Sequence, residues 1–195
     1  MEKSIIYYEK FGPDNTEETL KAASKRYKEL GLKKVIIASS VGVTAVKALQ
    51  YFDPKEMAVV TSMYGYLKPG EPRLSEENRK ILTDAGAILV FNTHVFAGLD
   101  RSVNKTYGGI TPVQLMGQCY KLIGEGFKVC LECAVMAADA GAASPLENTM
   151  CVGGTGRGAD TAIVLRPGHS NGFFGLKIRE IVCMPSERAD KPTGV

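Results

Sequence analysis

The chain has 195 residues, of which 45% are hydrophobic and 23% charged, and its formal net charge is +3. This balance is typical of one globular domain, and the scattering of basic among acidic residues argues against a nucleic-acid-binding surface. The longest apolar runs are too short to span a bilayer, and the N-terminus lacks a signal-peptide pattern. We expect one cytoplasmic domain over 1–195 with no membrane partner, ending in a loose polar tail at 186–195.

The first half of the chain alternates short apolar runs with helical patterns. Strands are predicted at 4–8, 34–39, 57–62 and 87–92. Helices are predicted after the cap residue Asn15, at 43–52 and at 75–86. Strands that alternate with helices in this way form a parallel sheet with right-handed crossovers.

The second half begins with two helices and continues with strands alone. Thr111, Pro112 and Gln114 predict a capped helix over 111–126, and an apolar helix follows at 127–141. Three strands then follow without helices between them, at 148–154, 161–167 and 175–185. We therefore predict a three-layer α/β sandwich with a mostly parallel central sheet and antiparallel strand additions near the C-terminus.

The segments that leave the predicted strands are long, whereas those that enter them are short. The carboxyl ends of parallel strands meet at one edge of a sheet, where open α/β sheets bind ligands. A ligand crevice at that edge is the favoured interpretation. The alternative is that these segments only cover the core or form a subunit interface.

The stretch ASSVGVTAVKAL at 38–49 follows an apolar strand and contains no acidic residue. Gly42 permits a close backbone approach, the next helix begins with free amides, and Ser39, Ser40 and Thr44 add hydroxyl donors. This combination suits a phosphate group. Simple N-capping by a serine or threonine is the open alternative.

A second cluster, VGGTGRGADT at 152–161, contains four glycines around Arg157. A hairpin connection needs only one or two glycines, so we favour contact between this segment and a ligand. Arg157 would contact an anion, and Asp160 would accept a hydrogen bond. A plain hairpin remains the alternative.

His94 follows the fourth strand and faces the predicted crevice, but no catalytic partner is evident from the sequence. Tyr64 and Tyr66 lie in a loop that would cover a flat ligand or pack on itself. Cys130 and Cys133 form a C-x-x-C pair within the apolar helix, which indicates core packing more than metal or redox chemistry, so no metal site is predicted.

The stretch KKVIIASSVGVTAVKALQYFDPKEMAVVTSM resembles the carboxy-terminal domain of pyruvate kinase, in which a Ser/Thr-Gly-x-Ser/Thr-Ala turn binds a phosphate of a sugar-bisphosphate activator. Ser39, Gly42, Thr44 and Ala45 match that turn, and Val41 departs from it. The whole chain is similar to stand-alone archaeal relatives of that domain. The resemblance implies flavin mononucleotide (FMN) as the ligand, with no established reaction.

These observations together define the expected ligand site. The phosphate would be held by Ser39, Ser40, Gly42, Val43 and Thr44. The crevice would be lined by Thr61, Ser62, Asn92, Thr93 and His94. It would be closed by Gly154, Thr155, Gly156, Arg157, Gly158 and Asp160. The alternatives are a flavin-dependent oxidoreductase and a regulatory module that binds a sugar phosphate, acting through a partner or its own homo-oligomer.

Overall fold

The computed structural model describes residues 3–187. Of the predicted loose tail at 186–195, everything after Glu187 lies outside this part of the chain. The strands are β1 (Ile6–Tyr8), β2 (Val35–Ala38), β3 (Met57–Ser62), β4 (Ile88–Asn92), β5 (Thr149–Gly153), β6 (Thr161–Arg166) and β7 (Lys177–Pro185). The helices are α1 (Thr16–Glu29), α2 (Val43–Ala48), α3 (Glu76–Ala85), α4 (Leu99–Tyr107), α5 (Pro112–Lys121) and α6 (Glu125–Asp139).

The strands form one seven-stranded sheet in the order β1-β7-β6-β5-β2-β3-β4. Only β6 runs against the others, because it pairs antiparallel with both β5 and β7 while every other pairing is parallel. The predicted α/β class is therefore confirmed, with a mostly parallel sheet and antiparallel pairing near the C-terminus.

Helices cover both faces of the sheet. One apolar cluster joins α1, α2 and α3 to side chains such as Ile37 and Val59, and a second joins α6 to Ile36 and Val60. Adjacent residues of β2 and β3 thus face opposite layers, which explains why β2 is apolar throughout and β3 is apolar from Met57 to Val60. The predicted apolar helix is α6, and it is buried along most of its length.

The structure differs from the sequence-based expectation at β1 and after β4. β5, β6 and β7 separate β1 from β2, so the three C-terminal strands enter the middle of the sheet. β1 suits an edge because Ile6 and Tyr7 stay exposed, whereas β5 is buried along its whole length. The segment after β4 also contains α4, which the sequence predicts as a loop.

The order of the strands reverses between β2 and β5. From β2 the chain proceeds outward through β3 to β4, returns along α6, and resumes at β5 on the other side of β2. In open α/β sheets, the crevice beyond the carboxyl ends of the strands at such a reversal is the usual place for a ligand. The two small-residue segments predicted from the sequence both leave the sheet here.

Gly126 in the first turn of α6 offers a test of this packing. A Cβ atom at this position would overlap the Thr161 hydroxyl and lie 2.6 Å from Asp160 Oδ1. We expect Gly126→Ala to lower the free energy of unfolding by about 1–3 kcal/mol, as overpacking does. In an exposed helix the same change would raise it by about 1 kcal/mol.

Urea denaturation followed by circular dichroism measures the free energy of unfolding of the wild type and of each variant. Gly172→Ala is the matched control, since a Cβ atom at Gly172 meets nothing within 4 Å and its φ of -126° suits alanine. Equal effects of the two substitutions would contradict the packing at α6.

Candidate small-molecule site at the carboxyl edge of the sheet

The turn at 39–44 is fixed through its carbonyl groups. The hydroxyl of Thr61 donates to the carbonyl of Ser40 at 2.9 Å, and the side-chain amide of Asn78 donates to the carbonyl of Val41 at 2.9 Å. These two bonds hold both carbonyl oxygens against the protein, so the turn cannot rotate them toward a ligand.

The amides of this turn are left without protein acceptors. Within residues 3–187, no backbone or side-chain oxygen accepts a hydrogen bond from the N–H groups of residues 40–44, whereas Ser39 donates to Val60 and Ala45 donates to the Ser39 hydroxyl. Successive unpaired amides in a turn form a concave anion-binding surface. We call residues 39–44, with these amides, the amide turn.

Gly42 is required by the geometry of the amide turn. Its φ is 98°, and a Cβ atom there would lie 2.5 Å from Asn78 Cβ and 2.7 Å from Leu74 Cδ1. A side chain would therefore displace the loop and helix that hold the turn. α2 is only six residues long, so we assign the anion-binding surface to the individual amides of the turn.

Not every predicted hydroxyl is free for a ligand. Thr61 is engaged with the Ser40 carbonyl, and the Ser39 hydroxyl accepts from the Ala45 amide at 3.2 Å. Both therefore support the amide turn. Thr44 and Ser62 are also buried, while Ser40 is partly exposed and Val43 is 54% exposed.

The glycine-rich segment at 153–160 lies beside the amide turn, since it follows β5 and β5 pairs with β2. Its organising group is Asp160, which is fully buried. The Asp160 carboxylate accepts from the amides of Gly12 at 3.0 Å and Thr155 at 3.1 Å, and from the Thr161 hydroxyl at 2.8 Å. Protein donors thus use this carboxylate, and we assign it to holding the loop.

Two glycines of this segment are explained by close packing, which leaves no room for a side chain. A Cβ atom on Gly154 would lie 2.5 Å from the carbonyl oxygen of Gly158. Gly158 itself has a φ of 68°, and a Cβ atom there would lie 2.6 Å from the Cα of Pro13. Gly156 and Arg157 are exposed at the tip, where they face solvent beside the site.

The residues after β4 form a separate group, two strand positions away from β2. Asn92 donates to the carbonyl of Met136 at 3.4 Å and accepts from the amide of Thr93, which is exposed. His94 lies with Nδ1 at 3.5 Å from the Glu132 carboxylate of α6. The structure thus brings the amide turn, Thr61 and the glycine-rich segment together, and places 92–94 at the end of β4, where His94 packs on Tyr66.

Glu132 is the residue that sequence reasoning misses. Its carboxylate accepts from Lys128 Nζ at 2.5 Å and from the amide of Phe96 at 3.0 Å. Burial raises the pKa of Glu132, but the hydrogen bond with His94 and the charge of Lys128 outweigh it and lower the pKa to about 2. The available signal was a single acidic residue inside the apolar stretch 129–138, which indicates a buried partner.

A shallow depression adjoins the amide turn. It measures about 220 Å³ and is lined by Val41, Leu67, Lys68, Glu71, Pro72 and Arg73. Tyr64 packs on Phe91 with ring centroids 5.1 Å apart, and Tyr66 packs on His94 at 5.4 Å. Both tyrosine rings thus contact the protein, while most of the loop from Tyr64 to Glu71 is exposed.

The comparison with known protein families yields no assignment, because no family model matches the sequence. Among residues 3–187, no helix has the length and apolar character that a membrane span requires. The same residues contain no group of three or more His, Cys, Asp or Glu side chains arranged to hold a metal ion. The buried Cys130 and Cys133 have a raised pKa because of their burial, so they are protonated thiols.

Asp160 should control the stability of the glycine-rich segment. Asp160→Asn removes a charged acceptor from three donors, and we expect it to lower the free energy of unfolding by about 2–4 kcal/mol. Urea denaturation measures the loss. The exposed Asp14 provides the control, since Asp14→Asn should change the value by less than about 0.5 kcal/mol.

Glu132 should contribute a pH-dependent part of the stability. Its pKa is lowered on folding, so its contribution is complete above the ordinary value of 4.5 and declines as the pH falls toward 2. The difference in free energy of unfolding between wild type and Glu132→Gln should therefore shrink over this range, by up to about 3 kcal/mol. Urea denaturation at several pH values tests this, and a constant difference would refute it.

The more exposed Glu125, which pairs with Lys121 at 3.0 Å, serves as the control for this pH series. Glu125→Gln should leave the pH dependence of stability unchanged, because surface ion pairs contribute little.

Proposed function

We propose that the protein binds a phosphorylated small molecule at the carboxyl edge of the sheet, between β2 and β5. The observation that carries this proposal is the amide turn. Its carbonyl groups are held inward by Thr61 and Asn78, its amides lack protein acceptors, and it lies where the strand order reverses. A phosphate supplies several acceptor oxygens and the negative charge that such a surface favours.

The electrostatic surroundings support an anion. No acidic residue occurs between Ser39 and Phe52, so the segment that would hold the phosphate carries no repelling charge. The one lysine in this stretch, Lys47, pairs with Glu17 at 2.8 Å. The phosphate would therefore be held by backbone amides, with the partly exposed Ser40 adding a hydroxyl.

FMN is the first ligand to test. Its phosphate would accept hydrogen bonds from the amide turn, and its ring would lie against the adjoining depression, near Leu67 and Pro72. The volume of about 220 Å³ is smaller than the roughly 300–1,000 Å³ of typical ligand pockets, so a flavin ring would be partly exposed. When bound, a flavin would supply electron-transfer chemistry.

The choice of FMN over a sugar phosphate rests on the sequence resemblance and not on the geometry. Native mass spectrometry of the purified protein, alone and with added FMN or sugar phosphate, measures the ligand mass and the assembly together. Reduction of bound flavin by NADH or NADPH would favour an oxidoreductase. A change in subunit number caused by a sugar phosphate would favour a regulatory module.

Val43 allows a sharp test of the phosphate site. Val43→Asp places a negative charge beside the amides at an exposed position in the first turn of α2, where an acidic residue does not destabilise a helix. We expect FMN or inorganic phosphate to bind at least about tenfold more weakly, a difference of ~1.4 kcal/mol. Fluorescence titration measures the affinity for FMN, and titration calorimetry measures the affinity for inorganic phosphate.

Val43→Asn is the matched control, because it has nearly the same shape as Val43→Asp without the charge. It should change the affinity by less than about threefold, since the proposed contact is with the backbone. The proposal fails if wild-type protein binds neither probe, or if the Asp and Asn variants bind equally well.

A further inference from the structure

Three side chains surround the ring of Tyr66. The guanidinium carbons of Arg101 and Arg73 lie 4.9 Å and 5.3 Å from its centroid, and the His94 ring lies at 5.4 Å. Tyr66 and Arg73 belong to the loop after β3, His94 follows β4, and Arg101 belongs to α4. Three separate segments thus converge on one aromatic ring.

The two guanidinium groups are not neutralised by the protein. Within residues 3–187, neither Arg73 nor Arg101 has a carboxylate oxygen within 4.0 Å, whereas Arg26 contacts Glu180 at 2.6 Å and Arg79 contacts Glu76 at 4.0 Å. The nearby Glu132 is occupied by Lys128. The cluster therefore carries an excess of positive charge in a partly buried place.

Two nitrogen atoms of the cluster are buried without a hydrogen-bond partner. They are Arg73 Nε and His94 Nε2, and in the described part of the chain only Thr149 Oγ1 shares this condition. Buried polar atoms are nearly always paired. Two of these three unpaired atoms lie around the ring of Tyr66, and this indicates a polar ligand beside that ring.

The orientation of His94 narrows the chemistry of that ligand. Its Nδ1 lies 3.5 Å from the Glu132 carboxylate, which can only accept, so in the neutral form of the ring Nδ1 carries the proton and Nε2 is an acceptor. An acceptor at His94 and guanidinium donors at Arg73 and Arg101 together suit an oxoanion that also has an O–H group.

We infer that Arg73, Arg101 and His94 form a second anion site, for a small oxoanion that carries a hydroxyl, such as a 2-hydroxycarboxylate or hydrogen phosphate. The guanidinium groups bind the anion and His94 Nε2 accepts from its hydroxyl. Arg73 also lines the depression beside Val41, so this site adjoins the amide turn without sharing its donors. The inference does not require a phosphate at the amide turn.

The two nitrogen atoms are closed off from solvent, so ligand entry requires the loop that carries Tyr66 and Arg73 to move. His94 is a convenient reporter, because the chain has only one other histidine, His169, which lies beside Asp139 at the far end of α6. The ring signals of both histidines can be followed by NMR in the full-length, isotope-labelled protein.

Lactate, propionate and inorganic phosphate are the probes. Lactate should shift the His94 signals saturably, with a dissociation constant of about 1 mM or below, and leave His169 unchanged. Propionate, which lacks the hydroxyl, should bind about three- to tenfold more weakly. A response to phosphate but not to lactate would assign the site to hydrogen phosphate.

Arg73→Gln and Arg101→Gln should each weaken binding by about tenfold or more, because each removes a charged donor. Arg79→Gln is the matched control, since Arg79 stacks in the same way on Phe91, at 5.9 Å, outside the cluster. The two arginine variants are independent, so the failure of one to fold leaves the other as the test.

The inference is overturned if no probe moves the His94 signals, or if the arginine variants respond like wild type. It is also overturned if Val43→Asp abolishes the His94 response, since the probes would then be reporting the amide turn. A retained His94 response together with failed binding at the amide turn would separate this site from the proposed function.

Discussion

The candidate site depends on how two side chains hold one turn. Thr61 from β3 and Asn78 from α3 each donate a hydrogen bond to a carbonyl oxygen of the amide turn. Because these carbonyl groups face the protein, the N–H groups of the same peptides face outward. Gly42 makes this possible, because any larger residue would collide with Asn78 and Leu74. The pairing of β2 with β5 determines where the turn lies in the sheet. The hydrogen bonds from Thr61 and Asn78 determine which of its backbone groups remain free.

The fold could be predicted in outline because its signals are local. Buried strands such as β2 are continuous apolar runs, and the capping box of Thr111 and Gln114 begins α5 as predicted. The position of β1 could not be predicted, since it depends on pairing with β7 near the other end of the chain. α4 is not predicted, although Leu99, Val103 and Tyr107 stand at helical spacing, because it lies within a long segment that leaves a strand and none of its residues is buried.

The candidate site was predictable where neighbouring residues define it and not where distant ones do. The small residues of the amide turn stand together in the sequence and indicate close backbone approach. The roles of Glu132 and Asp160 depend on partners far away in the chain, so their residue types alone carry little information. His94 was interpreted without a partner for the same reason, and α6 supplies that partner as Glu132.

The hydrogen bond from Gly12 to Asp160 joins residues 148 positions apart. Because this bond anchors the glycine-rich segment, the segment cannot reach its final structure until the first and last thirds of the chain are in contact. Contacts of such long range are slow to form and tend to appear late in folding. In a newly synthesised chain the glycine-rich segment would thus reach its final structure only after β1 and the C-terminal strands have joined the sheet.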